Sequence, residues 1–508
     1  MIDVLFVTPN SSEKAYQELS KKFSAIEPPT WSLLLAESCR SKGFSVAILD
    51  ADAERLNLNE CVQRIEKLNP RLVLFVLYGQ NPNSGTTSMI GAIDLANYIK
   101  ECNLPNPIAF VGSHTSALPK EVLAYESIDF VLLNEGTYAL HNLLRTDLVT
   151  DLQKIKGIGY KVYEGKKVNL VLNDPEQPVP QDRMDFDLPG YAWDLLPFKD
   201  KPLDMYRSHF WHAGFNHKKR SPFAAIYTSL GCQFACSFCM INIVNRTDNS
   251  DDINASHSRG MRFWSVEWVK KQLKKLADMG VQTVRISDEM FFLNKKYYRP
   301  ILQSIIDNEY KFNMWTYSRI DTVREDALEL FKKSGVNWLA LGVEAGNQLV
   351  RQEVSKGSFK EVNIRDICKQ INNHNINIIS NFIFGFPDDN HETMNETLNL
   401  ALELNSETAN FYPCQALPGS PLYTKAIIEG VHLPQTYSEF GFLTYDSKPM
   451  NTKYVTSAEV LRFRDNAWQT YFTNPAYLKL VEKKFGVEEK DNVVQMSKIK
   501  LKRKLLGD

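Results

Sequence analysis

Over roughly its first 150 residues the chain alternates short apolar runs with amphipathic stretches. The runs at 4–7, 45–49, 72–77, 108–111 and 130–133 are apolar on both faces, as strands of a parallel sheet covered by helices on both sides would be. Five such strands with helices between them predict a Rossmann-like unit. Its ligands belong beyond the carboxyl ends of the strands, and those ends carry small or polar residues: 8–12, 50–52, 78–82, 112–115 and 134–136. Asn10, Ser11, Asp50, Gln80, Gly112, Ser113, His114, Glu135 and Gly136 are the candidate contacts on that rim. Taken singly, each of these segments also reads as an ordinary turn.

The pattern weakens over 151–220, where a stretch rich in proline and acid (173–182) marks a connector. From 221 to 425 a second α/β repeat follows, with strands expected at 224–229, 283–287, 313–317, 338–343, 378–384 and 411–415. A helix is expected over 266–279, ended by Gly280. Six units are too few for an eight-stranded barrel, so an open, partial (β/α)6 barrel is expected, with its chemistry at the strand carboxyl ends. The remainder, 426–508, reads as mostly helical. Thr456 and Glu459 form a capping box, and the basic end at 498–506 reads as a solvated terminal helix or a contact for an acidic partner or a membrane surface.

Composition narrows the class. At 508 residues the chain is expected to hold more than one core, and its 44% hydrophobic and 23% charged residues are those of a folded globular protein. A formal net charge of -1 supplies no general attraction to nucleic acid. The start has no signal-peptide pattern and no run is long enough to span a bilayer, so a cytoplasmic protein without a transmembrane segment is expected. Five of the eight cysteines are scattered, at 39, 61, 102, 368 and 414, and three are bunched. Bunched thiols in a large chain of this kind point to metal rather than to disulfides.

The bunch is Ser229-Leu-Gly-Cys232-Gln-Phe-Ala-Cys236-Ser-Phe-Cys239, a Cys-x3-Cys-x2-Cys at the end of the first expected barrel strand. Three thiolates can hold three irons of a cubane and leave the fourth open. The rival is zinc, which wants four closed ligands. The nearest further donor, His257, lies at a long and irregular spacing. With Phe238 ahead of the last cysteine, the motif resembles the signature of the radical SAM (S-adenosylmethionine) family. That resemblance implies a 4Fe-4S cluster on Cys232, Cys236 and Cys239 that cleaves SAM to a 5'-deoxyadenosyl radical.

Further strand ends extend the likeness. Ser287-Asp288-Glu289 stands where the family has Gly-Gly-Glu, which implies that Asp288 or Glu289 meets the SAM ammonium. Ser318 and Arg319, with Glu344, fall where the family faces the SAM carboxylate and ribose. Arg319 can instead be a structural partner of Asp321 or Glu344. Ile383 and Gly385 keep the spacing of the family's adenine-binding segment.

The order of a Rossmann-like domain and then this barrel resembles the cobalamin-binding class of the family, over roughly residues 1–425. The Asp-x-His-x-x-Gly ligand motif of cobalamin mutases is missing after the first strand, as it commonly is in the radical class. His114, the one histidine on the rim, either touches the corrin or has a structural role. The class implies methyl transfer from methylcobalamin to an unactivated carbon, or to phosphorus, of a small-molecule substrate. It also implies an external electron donor such as flavodoxin or ferredoxin. Side chains on residues 205–220 and on the tail are candidates to line the space between the two halves. The rival readings are a cobalamin-dependent oxidative cyclase or ring-rearranging enzyme, and a non-catalytic iron-sulphur redox sensor.

Overall fold

A computed structural model describes residues 2–79, 84–213, 222–246, 260–354 and 362–508. The first sheet has seven strands: β1 Ile2–Thr8, β2 Val46–Asp50, β3 Pro70–Leu77, β4 Ile108–Gly112, β5 Phe130–Leu132, β6 Ile158–Glu164 and β7 Lys167–Leu172, in the order β2-β1-β3-β4-β5-β6-β7. The first five are parallel, as their apolar runs predict. β6 and β7 are antiparallel additions. They fall in the stretch expected to be a connector, so part of it extends the first sheet. Only the first three residues of β6 are buried, which is why an apolar-run reading passes over this pair.

The second sheet is the six-stranded open barrel: β8 Phe223–Ile226, β11 Thr283–Ile286, β12 Asn313–Arg319, β13 Val336–Glu344, β14 Asn377–Phe384 and β15 Thr408–Pro413, all parallel and in that spatial order. The first expected strand, 224–229, divides. β8 ends at Ile226, and a separate strand β9, Ser229–Cys232, turns away to pair antiparallel with β10, Gly260–Phe263. The cysteine motif therefore begins on its own hairpin arm rather than on the barrel strand.

The helix expected at 266–279 is Val266–Asp278, capped by the Ser265 side chain. The Thr456–Glu459 capping box opens the helix Ser457–Phe472. Two more helices, Pro475–Phe485 and Val487–Ser497, complete the tail. The basic end is no terminal helix. Arg503 is buried, pairs with Asp465 and donates to Thr444 O at 2.9 Å. A guanidinium that has lost its water needs such partners, and they pin the segment to the fold.

One continuous apolar core runs from the first sheet through the helix Thr30–Ser41 into the barrel and the tail. Polar ties cross the same boundary. Thr30 Oγ1 donates to Ala225 O, Glu27 pairs with the fully buried Arg285, and Arg262 pairs with Glu135. Asn134 Nδ2 donates to Arg246 O at 2.9 Å. These contacts hold the strand ends of the two sheets against each other. No helix among the described residues is long and apolar enough to cross a membrane.

Candidate functional site

The cysteine loop is shaped by backbone constraints. Gly231 has φ +87°, and a Cβ there would overlap Gly260 O across the β9–β10 ladder. Asn242 brackets Cys232 at both ends: its Oδ1 accepts from Cys232 N and its Nδ2 donates to Cys232 O, both at 3.0 Å. Ser237 is clamped between Val354 O and Leu422 N. All three thiols border a cavity of about 260 Å³. Burial pushes Cys232 up to about 12, Cys236 to about 11 and Cys239 well above the usual thiol range. Three such thiols become thiolates only with cationic metal beside them.

Among the described residues no three His, Cys, Asp or Glu side chains converge where a single metal ion could sit. A cubane asks for something else, since each thiolate takes a separate corner and the three need only border one cavity. The donor set fits an iron-sulphur cluster in that sense.

The rest of that cavity gathers most of the residues expected to meet SAM: Phe238, Glu289, Ser318, Arg319, Glu344 and Ile383 all line it. Glu289 and Glu344 stand half-buried in its wall, and loss of water pushes them up to about 8 and about 7. Gln415 Oε1 is buried there without a partner among the described residues. Carboxylates in that position fit an ammonium and a pair of hydroxyls, which would restore their charge and their hydrogen bonds.

Two expected contacts are elsewhere. Asp288 is fully buried and accepts from Thr228 N, Thr228 Oγ1 and Ser229 Oγ, each at 2.6 Å, so it fastens the β8–β9 bend instead of facing the cavity. Gly385, at φ +86°, forms a turn packed on Val460, with its N–H donated to Asp389. Arg319 lines the cavity but is engaged twice, by Asp321 through two hydrogen bonds (3.0 and 2.7 Å) and by the Phe234 ring 3.8 Å beneath it. Phe234 and Asn242 are functional neighbours that motif reading passed over.

A second cavity, of about 140 Å³, opens at the strand ends of β1 and β3. Thr8, Ser11, Ser12, Asp52, Tyr78 and Ser88 line one side, and Tyr227 and Ser287 from the barrel close it. Trp31 stacks on Tyr78 at 4.3 Å in its wall. Three buried oxygens in this wall have no partner among the described residues: Thr8 Oγ1, Glu27 Oε1 and Ser32 Oγ. Buried polar groups are ordinarily satisfied. A ligand edged with amides, as a corrin is, fits a wall with three waiting oxygens.

Of the rim residues expected to meet cobalamin, Ser11 lines this cavity. Gln80 lies outside the described residues, as do 214–220. Asn10 points outward to Leu56 O. Asp50 caps its helix through Ala53 N and accepts from Tyr206 OH at 2.7 Å. Gly112 and Ser113 are buried in close packing between β3 and β4, and Gly136 starts the helix Thr137–Leu144. Glu135 holds Arg262 and Val179 N. His114 is buried between Thr86 Oγ1 (3.1 Å) and Glu121 Oε1 (3.2 Å), with Tyr437 edge-on at 5.0 Å. Apart from the exposed Asn10, these residues are buried and packed or hydrogen-bonded against neighbouring elements.

Comparison with known proteins follows the same division. Residues 19–144 match the B12 binding domain family and residues 226–401 the Radical SAM superfamily. A protein of Pyrococcus horikoshii named an uncharacterized methyltransferase is 25% identical over 454 residues, which span 89% of each chain. The anaerobic magnesium-protoporphyrin IX monomethyl ester cyclase of Rubrivivax gelatinosus is 24% identical over 94% of this chain and 78% of its own. Among solved structures, the radical S-adenosylmethionine methyltransferase TsrM of Kitasatospora setae, with cobalamin and a 4Fe-4S cluster bound, aligns with a TM-score of 0.67 at 14% identity. That alignment covers 98% of this chain and 99% of its own. The cobalamin-dependent radical enzyme OxsB, bound to aqua-cobalamin and SAM, gives 0.68 at 15% identity over 98% and 71%. At those identities the structural likeness is one of fold.

Proposed function

The chain belongs to the radical SAM enzymes that carry a B12-binding domain, and from that membership we propose that it is a methyltransferase acting on a small molecule. Its cofactors are a 4Fe-4S cluster, SAM and cobalamin, and the methyl group passes from methylcobalamin to an unactivated carbon, or to phosphorus. The observation that carries the reading is the pair of cavities, one bordered by three cysteines and the other by the strand ends of the B12-binding domain and by Tyr227 and Ser287 of the barrel. Methyltransferase-named relatives support it.

The bound cofactors supply radical initiation at the cluster and a transferable methyl group at the corrin. The chain's own residues do the rest. Cys232, Cys236 and Cys239 hold the cluster. Glu289 anchors the ammonium of SAM, while Glu344 and Ser318 take its polar groups and Ile383 supplies an apolar wall beside the base. Arg319, neutralised by Asp321, acts more as a positioned plate over Phe234 than as a free cation. Ser11, Thr8, Glu27 and Ser32 offer hydrogen-bond partners to the corrin edge, and Trp31 on Tyr78 gives it a rigid apolar floor. The reading requires an external one-electron reductant of flavodoxin or ferredoxin type.

The test is anaerobic reconstitution of the full chain with iron, sulphide and cobalamin, followed by SAM labelled in its methyl group and a reductant. Label in the protein-bound cobalamin and release of 5'-deoxyadenosine are expected, with the deoxyadenosine lost in Cys236→Ala. Cobalamin that stays unlabelled refutes methyl transfer. Deoxyadenosine release with cobalamin left unlabelled would instead fit a cyclase.

A further inference from the structure

A third cavity, of about 230 Å³, lies between the other two. It shares Tyr16 and Thr87 with the B12-domain cavity and Tyr412 and Phe442 with the cysteine cavity, so anything held in it borders both. Its walls are aromatic, among them Phe23, Trp211, Phe411 and Trp468. The helix Ser457–Phe472 supplies Arg464, Trp468 and Phe472, four residues apart and therefore on one face.

Arg464 is 5% exposed, and among the described lining residues it is the one with a fixed charge. The lining histidine, His209, is kept neutral by burial. Arg464 Nε donates to Phe411 O and Nη1 to Asp465 Oδ1, both at 2.7 Å, while Nη2 has no partner among the described residues. Asp465 is shared. It also accepts from Nε and Nη2 of Arg503, each at 2.9 Å. Arg464 thus shares its carboxylate partner with a second guanidinium, and a buried charge so incompletely paired beside an apolar cavity is costly unless a ligand brings an anion. His209 Nδ1 is likewise buried at this cavity without a partner among the described residues.

We propose that this cavity holds the methyl acceptor, and that the acceptor is a compact, largely apolar or aromatic acid whose anionic group pairs with Arg464. As an assignment of the acceptor it rests on the methyltransferase reading. The fork of a guanidinium suits a carboxylate or phosphinate, the aromatic walls suit a flat body, and the cavity falls below the range of drug-sized pockets.

The experiment is calorimetric titration of the reconstituted full chain with matched acid and amide probes on one aromatic body: indole-3-acetate against indole-3-acetamide, and 1-naphthoate against 1-naphthamide. The acids are expected to bind at least about tenfold more tightly, equivalent to ~1.4 kcal/mol. Arg464→Gln should erase the preference and Arg464→Lys should retain part of it. The wild-type comparison stands even if a variant fails to fold. Acids and amides binding alike, neither binding, or a preference that survives Arg464→Gln would overturn the proposal. Labelled cobalamin together with indifferent probes removes this proposal alone. Arg464-dependent acid binding with unlabelled cobalamin removes the methyltransferase reading and leaves the acid site.

Discussion

At the scale of single residues, the adjacent carboxylates Asp288 and Glu289 do different work, and the difference is measurable. Asp288 has spent its oxygens on Thr228 and Ser229, whereas Glu289 lines the cysteine cavity. Hydrogen bonds to a charged group are worth about 1.5–3 kcal/mol each. Glu289→Gln should therefore weaken SAM binding about ten- to a hundredfold in equilibrium dialysis with little change in melting temperature. Asp288→Asn should do the reverse, costing about 1.5–3 kcal/mol of stability while the folded fraction keeps its affinity. Equal loss of SAM affinity in both would refute the division of roles. The sequence offered both carboxylates and no means to choose, because the partners that occupy Asp288 sit 60 residues earlier, at the bend between β8 and β9. His114 is the same case. Its place on the rim is legible, but its two hydrogen-bond partners and the Tyr437 ring against it come from other elements.

Among the elements, the strands were readable because burial on both faces writes a continuous apolar run, and all eleven expected runs correspond to observed strands. What was not readable is where a run changes partners. Residues 223–232 are buried throughout, yet β8 joins the barrel and β9 leaves it for β10. Gly231 makes that departure, since its left-handed backbone and the nearness of Gly260 O both exclude a side chain. Gly231→Ala should cost about 1–3 kcal/mol locally and displace Cys232, whose backbone continues from it. The expected result is a chain that folds, with unchanged far-ultraviolet circular dichroism, but takes up less iron per chain on reconstitution. Full iron content in that variant would show that the hairpin does not set the cysteine geometry. The outer pair β6–β7 escaped notice for the opposite reason, being mostly exposed and with no continuous apolar run to betray it.

For the whole molecule, the decisive feature is that the two α/β units share a core and a set of buried polar ties, which no sequence pattern displays. Arg285 is the clearest tie: a barrel residue 1% exposed, paired with Glu27 of the first unit, and resting 4.7 Å from the Trp315 ring. Removing one member of a buried pair strands the other charge, so Arg285→Met should cost about 3–5 kcal/mol, much of it recovered in the Glu27→Gln/Arg285→Met double variant. A double variant no more stable than Arg285→Met would remove the pair as an interface tie. The same interface region carries a pH response. His212 is clamped in its neutral form, its Nδ1 accepting from Ser208 Oγ at 2.5 Å and its Nε2–H donating to Asn313 O at 3.0 Å, and burial holds it down at about 3. The unfolded chain protonates this ring near pH 6.5 and the folded chain does not. Stability from His212 is therefore full above pH 6.5 and is lost as pH falls toward 3. Buried carboxyls act in the other sense, because Asp50 at about 7 and Asp288 at about 6 bind protons in the fold before they would in the open chain. The net curve mixes the two, and a single substitution separates them. His212→Gln can keep one hydrogen bond and lacks the titration. Its stability relative to the wild type should therefore improve by roughly 2 kcal/mol between pH 7 and pH 5. Melting curves of both chains across that range measure it, and a constant difference would mean that His212 titrates alike in the folded and the open chain.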